Sequence, residues 1–172
     1  MKIVIVGAGR VGSALAEAYD AAGHEVVVLD LSTRAFDRLP AGFGGKAIRG
    51  DGTDEDTLRR AGAAEADFFL ALTEGDNRNV MAAQVAAENL GVVNVVAKIN
   101  DPVRAAAYGE LGIATLCRTT MLADAVNAFL GFAPLGGVGV VAPSGSHHGA
   151  DGHVRPASPA LAGTAGTAGR KG

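Results

Sequence analysis

Three glycines near the start of the chain carry the first chemical signal. Gly7, Gly9 and Gly12 follow the apolar run Ile3-Val-Ile-Val6 and lead into an alanine-rich stretch from Val11. Gly-x-Gly-x-x-Gly between a strand and a helix suits a phosphate cradle. The first glycine makes the tight turn, the second leaves the backbone open to a pyrophosphate, and the third lets the helix close on the sheet. The helix N-terminus adds unpaired N–H groups and a partial positive charge, next to Arg10 and Val11. A turn-forming glycine cluster with no ligand is the other use of the same residues. Asp30 ends the next apolar run, 18 residues after Gly12, with Leu31 behind it. An acid there accepts hydrogen bonds from an adenosine ribose and repels a 2′-phosphate, an effect that Arg34 weakens a little. Its competing role is a strand-end turn or helix cap, although Ser32 and Thr33 can also cap.

A second set of polar groups follows later strands. Gly50-Asp-Gly-Thr-Asp54 places Asp51 and Gly52 beside the adenine end of such a ligand, with Thr53 or Asp54 free to cap the next helix. Thr73, Asp76 and Asn79 follow the fourth apolar run. Asn79 and Asp76 are within reach of the far ribose or the phosphates, and Asp76 also suits the cap of its own helix. Lys98 and Asn100 end the fifth run. Lys98 can offset phosphate charge or pair with Asp51 or Asp76. Candidates for catalysis are few. His24 precedes the second strand, away from the strand ends where ligands sit, and Cys117 reads as a buried small hydrophobe. No Tyr-x-x-x-Lys pair occurs. His147, His148 and His153 with Asp151 have metal-ligating types but no fixed spacing, so no metal and no catalytic residue is expected. The enzyme alternative, a small NAD-dependent oxidoreductase, would also need a substrate domain that this chain does not offer.

These residues need a scaffold, and the pattern supplies one. Short β-branched runs at 3–6, 25–30, 46–49, 67–72 and 93–99 alternate with helical stretches at 11–22, 34–39, from 53, 76–89 and from Pro102. A sixth short run at 114–116 and an amphipathic helix over 119–132 complete the series. Alternation of this kind predicts an α/β fold, a Rossmann-like, doubly wound parallel sheet of about six strands with helices on both faces. With 48% hydrophobic and 19% charged residues, the chain has the composition of a globular domain. A net charge of −3 with no basic run argues against nucleic acid. The initial apolar run stops after four residues, too short for a signal peptide, and no stretch is long enough to span a membrane. The single cysteine excludes an internal disulfide and suits a reducing, cytoplasmic compartment. From about Pro134 the composition changes. Residues 136–172 hold ten of the 25 glycines and three of the four histidines. The pattern divides the chain into a nucleotide-binding domain over 1–133 and a flexible tail over 134–172, with one short strand at 138–142.

Taken together, Gly7-Ala-Gly-Arg-Val-Gly12, Val28-Leu-Asp30, Gly50-Asp-Gly-Thr-Asp54, Asp76-Asn-Arg-Asn79, Val96-Ala-Lys-Ile-Asn-Asp-Pro102 and Gly112-Ile resemble the N-terminal domain of RCK proteins, the regulators of potassium conductance, also called TrkA-N or KTN domains. The glycine loop is shared with many dehydrogenases, whereas the Gly-Asp-x-Thr-Asp piece with Asp-Asn-x-Asn is more particular. The resemblance implies a regulatory subunit on the cytoplasmic side of a Trk- or Ktr-type potassium uptake system, not an enzyme. It implies NAD(H) as ligand, or ATP or ADP at the same site. Gly7, Gly9, Arg10 and Gly12 would hold the phosphates, Asp30 the ribose, and Asp51 with Gly52 the adenine. It implies assembly into a dimer or ring, or with a longer RCK protein, and gating of a membrane subunit without entering the bilayer. The helix at 119–132 corresponds to the family's dimer-forming crossover helix. Two departures stand out. Many relatives carry a C-terminal domain after this one, whereas a glycine-rich segment follows here, as in a single-domain form beside a longer partner or in a piece of a longer chain; and Pro40-Ala-Gly-Phe-Gly-Gly45 loosens the region after the second strand.

Overall fold

The computed structural model describes residues 1–110, 113–135 and 139–141. Six parallel strands form the sheet: β1 (Lys2–Val6), β2 (Glu25–Asp30), β3 (Lys46–Arg49), β4 (Phe68–Ala71), β5 (Val95–Ile99) and β6 (Ala114–Cys117). A two-residue strand, β7 (Val140–Val141), pairs antiparallel with β6 at one edge, and the strand order is β3-β2-β1-β4-β5-β6-β7. The order reverses beside β1, between β2 and β4. In such sheets a crevice opens at that point, outside the carboxyl ends of the strands.

The central strands are apolar on both sides because helices cover both, whereas the edge strand β3 is largely exposed. On one side α1 (Arg10–Ala21) and the 3-10 turn Thr33–Arg38 bury Ala16 and Ala35 against Ile3, Ile5, Val26 and Val28. On the other, α2 (Glu55–Arg60), α3 (Asp76–Gln84) and α4 (Pro102–Glu110) pack Leu58, Val80 and Ala105 on Val4, Val27, Phe69 and Ile99. Helix α5 (Arg118–Leu130) behaves differently. Thr120 is its one buried residue, while Leu122 is 66% and Phe129 90% exposed.

Three expected elements changed shape. The helix after β4 ends at Gln84 and continues as a π turn, Val85–Asn89, where the Leu90 amide reaches back to the Val85 carbonyl. That widening lets Leu90 and Val92 enter the core around Gly91. The fifth strand starts at Val95, because Val93 is 84% exposed and Asn94 is spent tying Asp67 and Phe69 to its own end. The strand expected over 138–142 comprises Val140–Val141, so the sheet takes in chain beyond residue 133. The rest of the expected tail, with His147, His148, Asp151 and His153, lies outside the described residues.

Candidate functional site

Two cavities open at the carboxyl end of the sheet and meet over Gly9 and Asp30. The first, of about 210 Å³, lies between Gly7, Leu31, Gly52, Thr73 and Arg78. The second, of about 530 Å³, lies between Arg10, Val11, Arg38, Lys98 and Arg118. Glu74 borders both.

The glycines that separate them differ in what requires them. Gly7 has φ +108, a left-handed backbone, and a Cβ there would stand 2.9 Å from the Leu72 carbonyl carbon and the Thr73 nitrogen. Gly12 is buried in α1, where a Cβ would collide with the Gly7 carbonyl oxygen. Gly9 caps α1 with an ordinary φ of −74, and a Cβ there would meet nothing within 4 Å. Protein packing therefore requires Gly7 and Gly12. Gly9 leaves open space at the helix N-terminus, where backbone N–H groups are unpaired.

Asp30 holds this loop in shape. Its Oδ2 accepts the Ala8 N–H at 2.9 Å and its Oδ1 the Ser32 N–H at 2.8 Å. The turn role therefore falls on the carboxylate for which a ligand role is expected. Each oxygen keeps a lone pair for a ribose hydroxyl. Gly52 lies against the side chain of Val6, so the loop after β3 folds over the end of β1. Asp51 turns toward its own loop, where Oδ1 accepts from Thr53 N at 2.9 Å and Thr53 Oγ1 at 2.8 Å. Asp54 caps α2 through Thr57, whose hydroxyl and amide hold the carboxyl below its usual range. Glu55 is lowered too, first by Asn89 and then by Arg59.

Asn79 does not reach the crevice. It is fully buried in α3. Its Oδ1 accepts Thr73 N at 2.8 Å and Thr73 Oγ1 at 2.6 Å, while its Nδ2 donates to Thr73 O at 2.9 Å and Lys98 O at 2.7 Å. All four hydrogen-bonding positions of the amide are used, so nothing remains for a ligand. Asn79 instead clamps the loop after β4 to β5 and thereby sets Thr73 at the first cavity. Asp76 is not the cap of its helix either, since Gly75 is. Its Oδ1 takes the Asn100 backbone N–H at 2.9 Å and side-chain amide at 2.8 Å, which ties β4 to the end of β5.

Lys98 faces the second cavity with its side chain 8% exposed. Its partner is neither Asp51 nor Asp76 but Glu74, at 3.4 Å, and Arg118 approaches the same carboxylate at 3.9 Å. Of the remaining candidates, His24 stacks obliquely on Tyr19 at the opposite end of the strands. Cys117 is buried and accepts the Thr120 hydroxyl. Neither lines the crevice. Sequence reading missed Glu74, Arg78, Arg38 and Arg118. Glu74 and Arg118 sit just past the ends of β4 and β6, so the rule that ligands lie at strand carboxyl ends points to both.

A parallel sheet with a glycine loop, an acid at the end of the second strand and an open helix N-terminus defines a Rossmann-like dinucleotide-binding fold. Within that class, the TrkA-N domain family matches residues 3–119, and the chain belongs to it. A Trk system potassium uptake protein, TrkA, of Streptomyces coelicolor is 52% identical over 124 residues, which is 72% of this chain and 56% of that protein. The matched part of the chain spans about half the length of several curated relatives and under a quarter of others. Among solved structures, the TrkA-N domain of an inner membrane protein of Escherichia coli superimposes with a TM-score of 0.67 at 22% identity, covering 75% of this chain and 96% of that one. The AMP-bound C-terminal domain of a Shewanella denitrificans Kef protein gives 0.61 at 23%, covering 76% and 82%. These two likenesses speak for the fold alone.

Proposed function

We propose that this chain is the nucleotide-binding part of a regulator of a potassium uptake system, and that it binds NAD(H), ATP or ADP across Gly9. The observation that carries this reading is the open space over Gly9. A glycine that neither φ nor packing requires is explained by a ligand that takes the place of its side chain. In this reading the adenosine lies in the first cavity, with its ribose on Asp30 and its base near Gly52 and Leu31. The phosphates follow the N–H groups of α1 beside Arg10 and Val11. The described residues include no helix long and apolar enough to cross a membrane, which fits a subunit that acts through a membrane partner at the cytoplasmic face.

The exposed stripe Leu122, Val126 and Phe129 on α5 is spaced for one helical face and supports docking to a second copy, or to a longer relative. The gating follows from linkage. Nucleotides of different phosphate content shift an assembly between two states only as far as their affinities for those states differ.

The test is calorimetric titration with NAD, NADH, ATP and ADP on wild type and Gly9→Ala. Asp30→Ala is the poorer control, because that carboxylate also holds Ala8 and Ser32. Binding by wild type and loss in Gly9→Ala supports the reading, and no heat with any nucleotide refutes it. The regulatory part is tested by potassium flux through the cognate membrane subunit in vesicles, with and without nucleotide. Flux indifferent to the protein ends that part alone.

A further inference from the structure

The two cavities differ in charge. The second is bordered by four cations, Arg10, Arg38, Lys98 and Arg118, and by two carboxylates, Asp30 and Glu74. Asp30 takes backbone N–H groups and makes no ion pair among the described residues. Glu74 is therefore the carboxylate available to the cations, and it serves them poorly. Its side chain is 81% exposed, and its contacts are 3.4 Å to Lys98 Nζ and 3.9 Å to Arg118 Nη1. A well-made ammonium–carboxylate hydrogen bond is about 2.7–2.9 Å. Lys98 meanwhile is buried at the cavity wall, where an ammonium group needs a close anion. A buried cation with a loose, solvated counter-ion is a receptor for a better anion.

We propose that Glu74 is a displaceable counter-ion that competes with phosphate beyond the first for Lys98 and Arg118, and so sets how far this crevice favours ADP and ATP over AMP. The inference rests on the nucleotide site proposed above. The phosphate next to the ribose sits over Gly9, common to both cavities, and leaves the Glu74 contacts intact. A second or third phosphate extends into the larger cavity toward Lys98 and Arg118. There it replaces the Glu74 carboxylate, which swings into solvent. No bond is made or broken; one ion contact is exchanged for another. Glu74 thus acts on specificity by competing with the ligand, and Lys98 and Arg118 receive the distal charge.

The experiment is calorimetry with AMP, ADP and ATP at fixed ionic strength on wild type, Glu74→Gln, Lys98→Met and the double variant. Glu74→Gln is expected to tighten ADP and ATP about three- to tenfold, the scale of two surface ion contacts released, and to leave AMP within twofold. In the Lys98→Met background the gain for ADP and ATP shrinks toward unity. Glu74→Gln should melt no more than about 4 °C below wild type, because its two ion contacts are long and solvated and its side chain makes no other hydrogen bond or ion pair among the described residues. Equal gains for all three nucleotides, or an unchanged gain in the double variant, would overturn the proposal while the nucleotide site stands. Absence of any binding by wild type overturns the site and this inference together.

Discussion

Two glycines three residues apart give opposite responses to one added methyl group. At Gly9 the new Cβ of alanine meets nothing within 4 Å, and φ of −74 is ordinary for alanine. The structural cost is that of exchanging glycine for alanine at a helix N-cap, about 0.5–1 kcal/mol. For a domain of this size that lowers Tm by about 1–4 °C. At Gly12 the same Cβ collides with the Gly7 carbonyl oxygen and stands 3.4 Å from Ile5 Cγ2. The first atom is backbone, so relief requires moving α1 off the sheet. Overpacking of this kind costs about 3 kcal/mol, or about 6–12 °C in Tm. Ligand affinity should order the variants the other way relative to stability. The methyl at position 9 lifts phosphate from the α1 amides, and losing one charge-assisted hydrogen bond of about 1.5–3 kcal/mol weakens binding about ten- to hundredfold. Melting curves and ATP or NADH titration on both variants read the two quantities separately. If Gly9→Ala melts as low as Gly12→Ala, the space over Gly9 is not free. If it binds nucleotide as wild type does, that space is not where phosphate sits.

Other perturbations are more local. Asn79→Leu leaves Thr73 N, Thr73 O and Lys98 O without their buried partner and should cost about 3 kcal/mol or more in urea unfolding, with Thr73 displaced from the first cavity. Asp54 and Glu55 are both held below their ordinary values, so the stability they lend is present above about pH 4.5 and is lost as pH falls through their lower folded values. Urea midpoints followed from pH 6 to pH 3 should fall less steeply in Asp54→Asn with Glu55→Gln than in wild type. Thr119→Val removes the hydroxyl that donates to the Asn100 carbonyl at 2.6 Å. It should leave nucleotide affinity within twofold but reduce any nucleotide effect on dimerisation, measured by sedimentation, by about fivefold, the worth of one hydrogen bond of about 1 kcal/mol.

The sheet was legible in the sequence because apolar runs of period-free burial have one common cause, helices on both faces. The third strand, Lys46–Arg49, was read to the residue because Gly45 and Gly50 bound it. Side-chain partners were less legible. Asn79 and Lys98 look alike as polar groups after strands, yet one is a saturated clamp and the other faces a cavity. Spacing tells which end of the sheet a residue occupies, not how many of its hydrogen bonds the protein has already used. Arg118 escaped notice for a related reason. Its role depends on Glu74, 44 residues earlier, and only folding brings the two to one corner.

That corner joins the crevice to α5, a helix with Thr120 as its one buried residue. Asn100 places its side-chain amide on Asp76, and its carbonyl accepts the Thr119 hydroxyl at the start of α5. Arg118, the first residue of α5, reaches Glu74. The first turn of α5 is thus fastened to the same loop that borders both cavities. The rest of the helix offers Leu122, Val126 and Phe129 to solvent. A ligand that exchanges partners with Arg118 acts at the fastened end of a helix of thirteen residues, about 20 Å long. A rotation of a few degrees there moves the far end, at Phe129 and Leu130, by about 1–2 Å. Shifts of 1–2 Å at a helical interface are enough to change how two subunits pack. Under the proposed function no long relay through the core is needed, because the crevice and α5 share their first contacts.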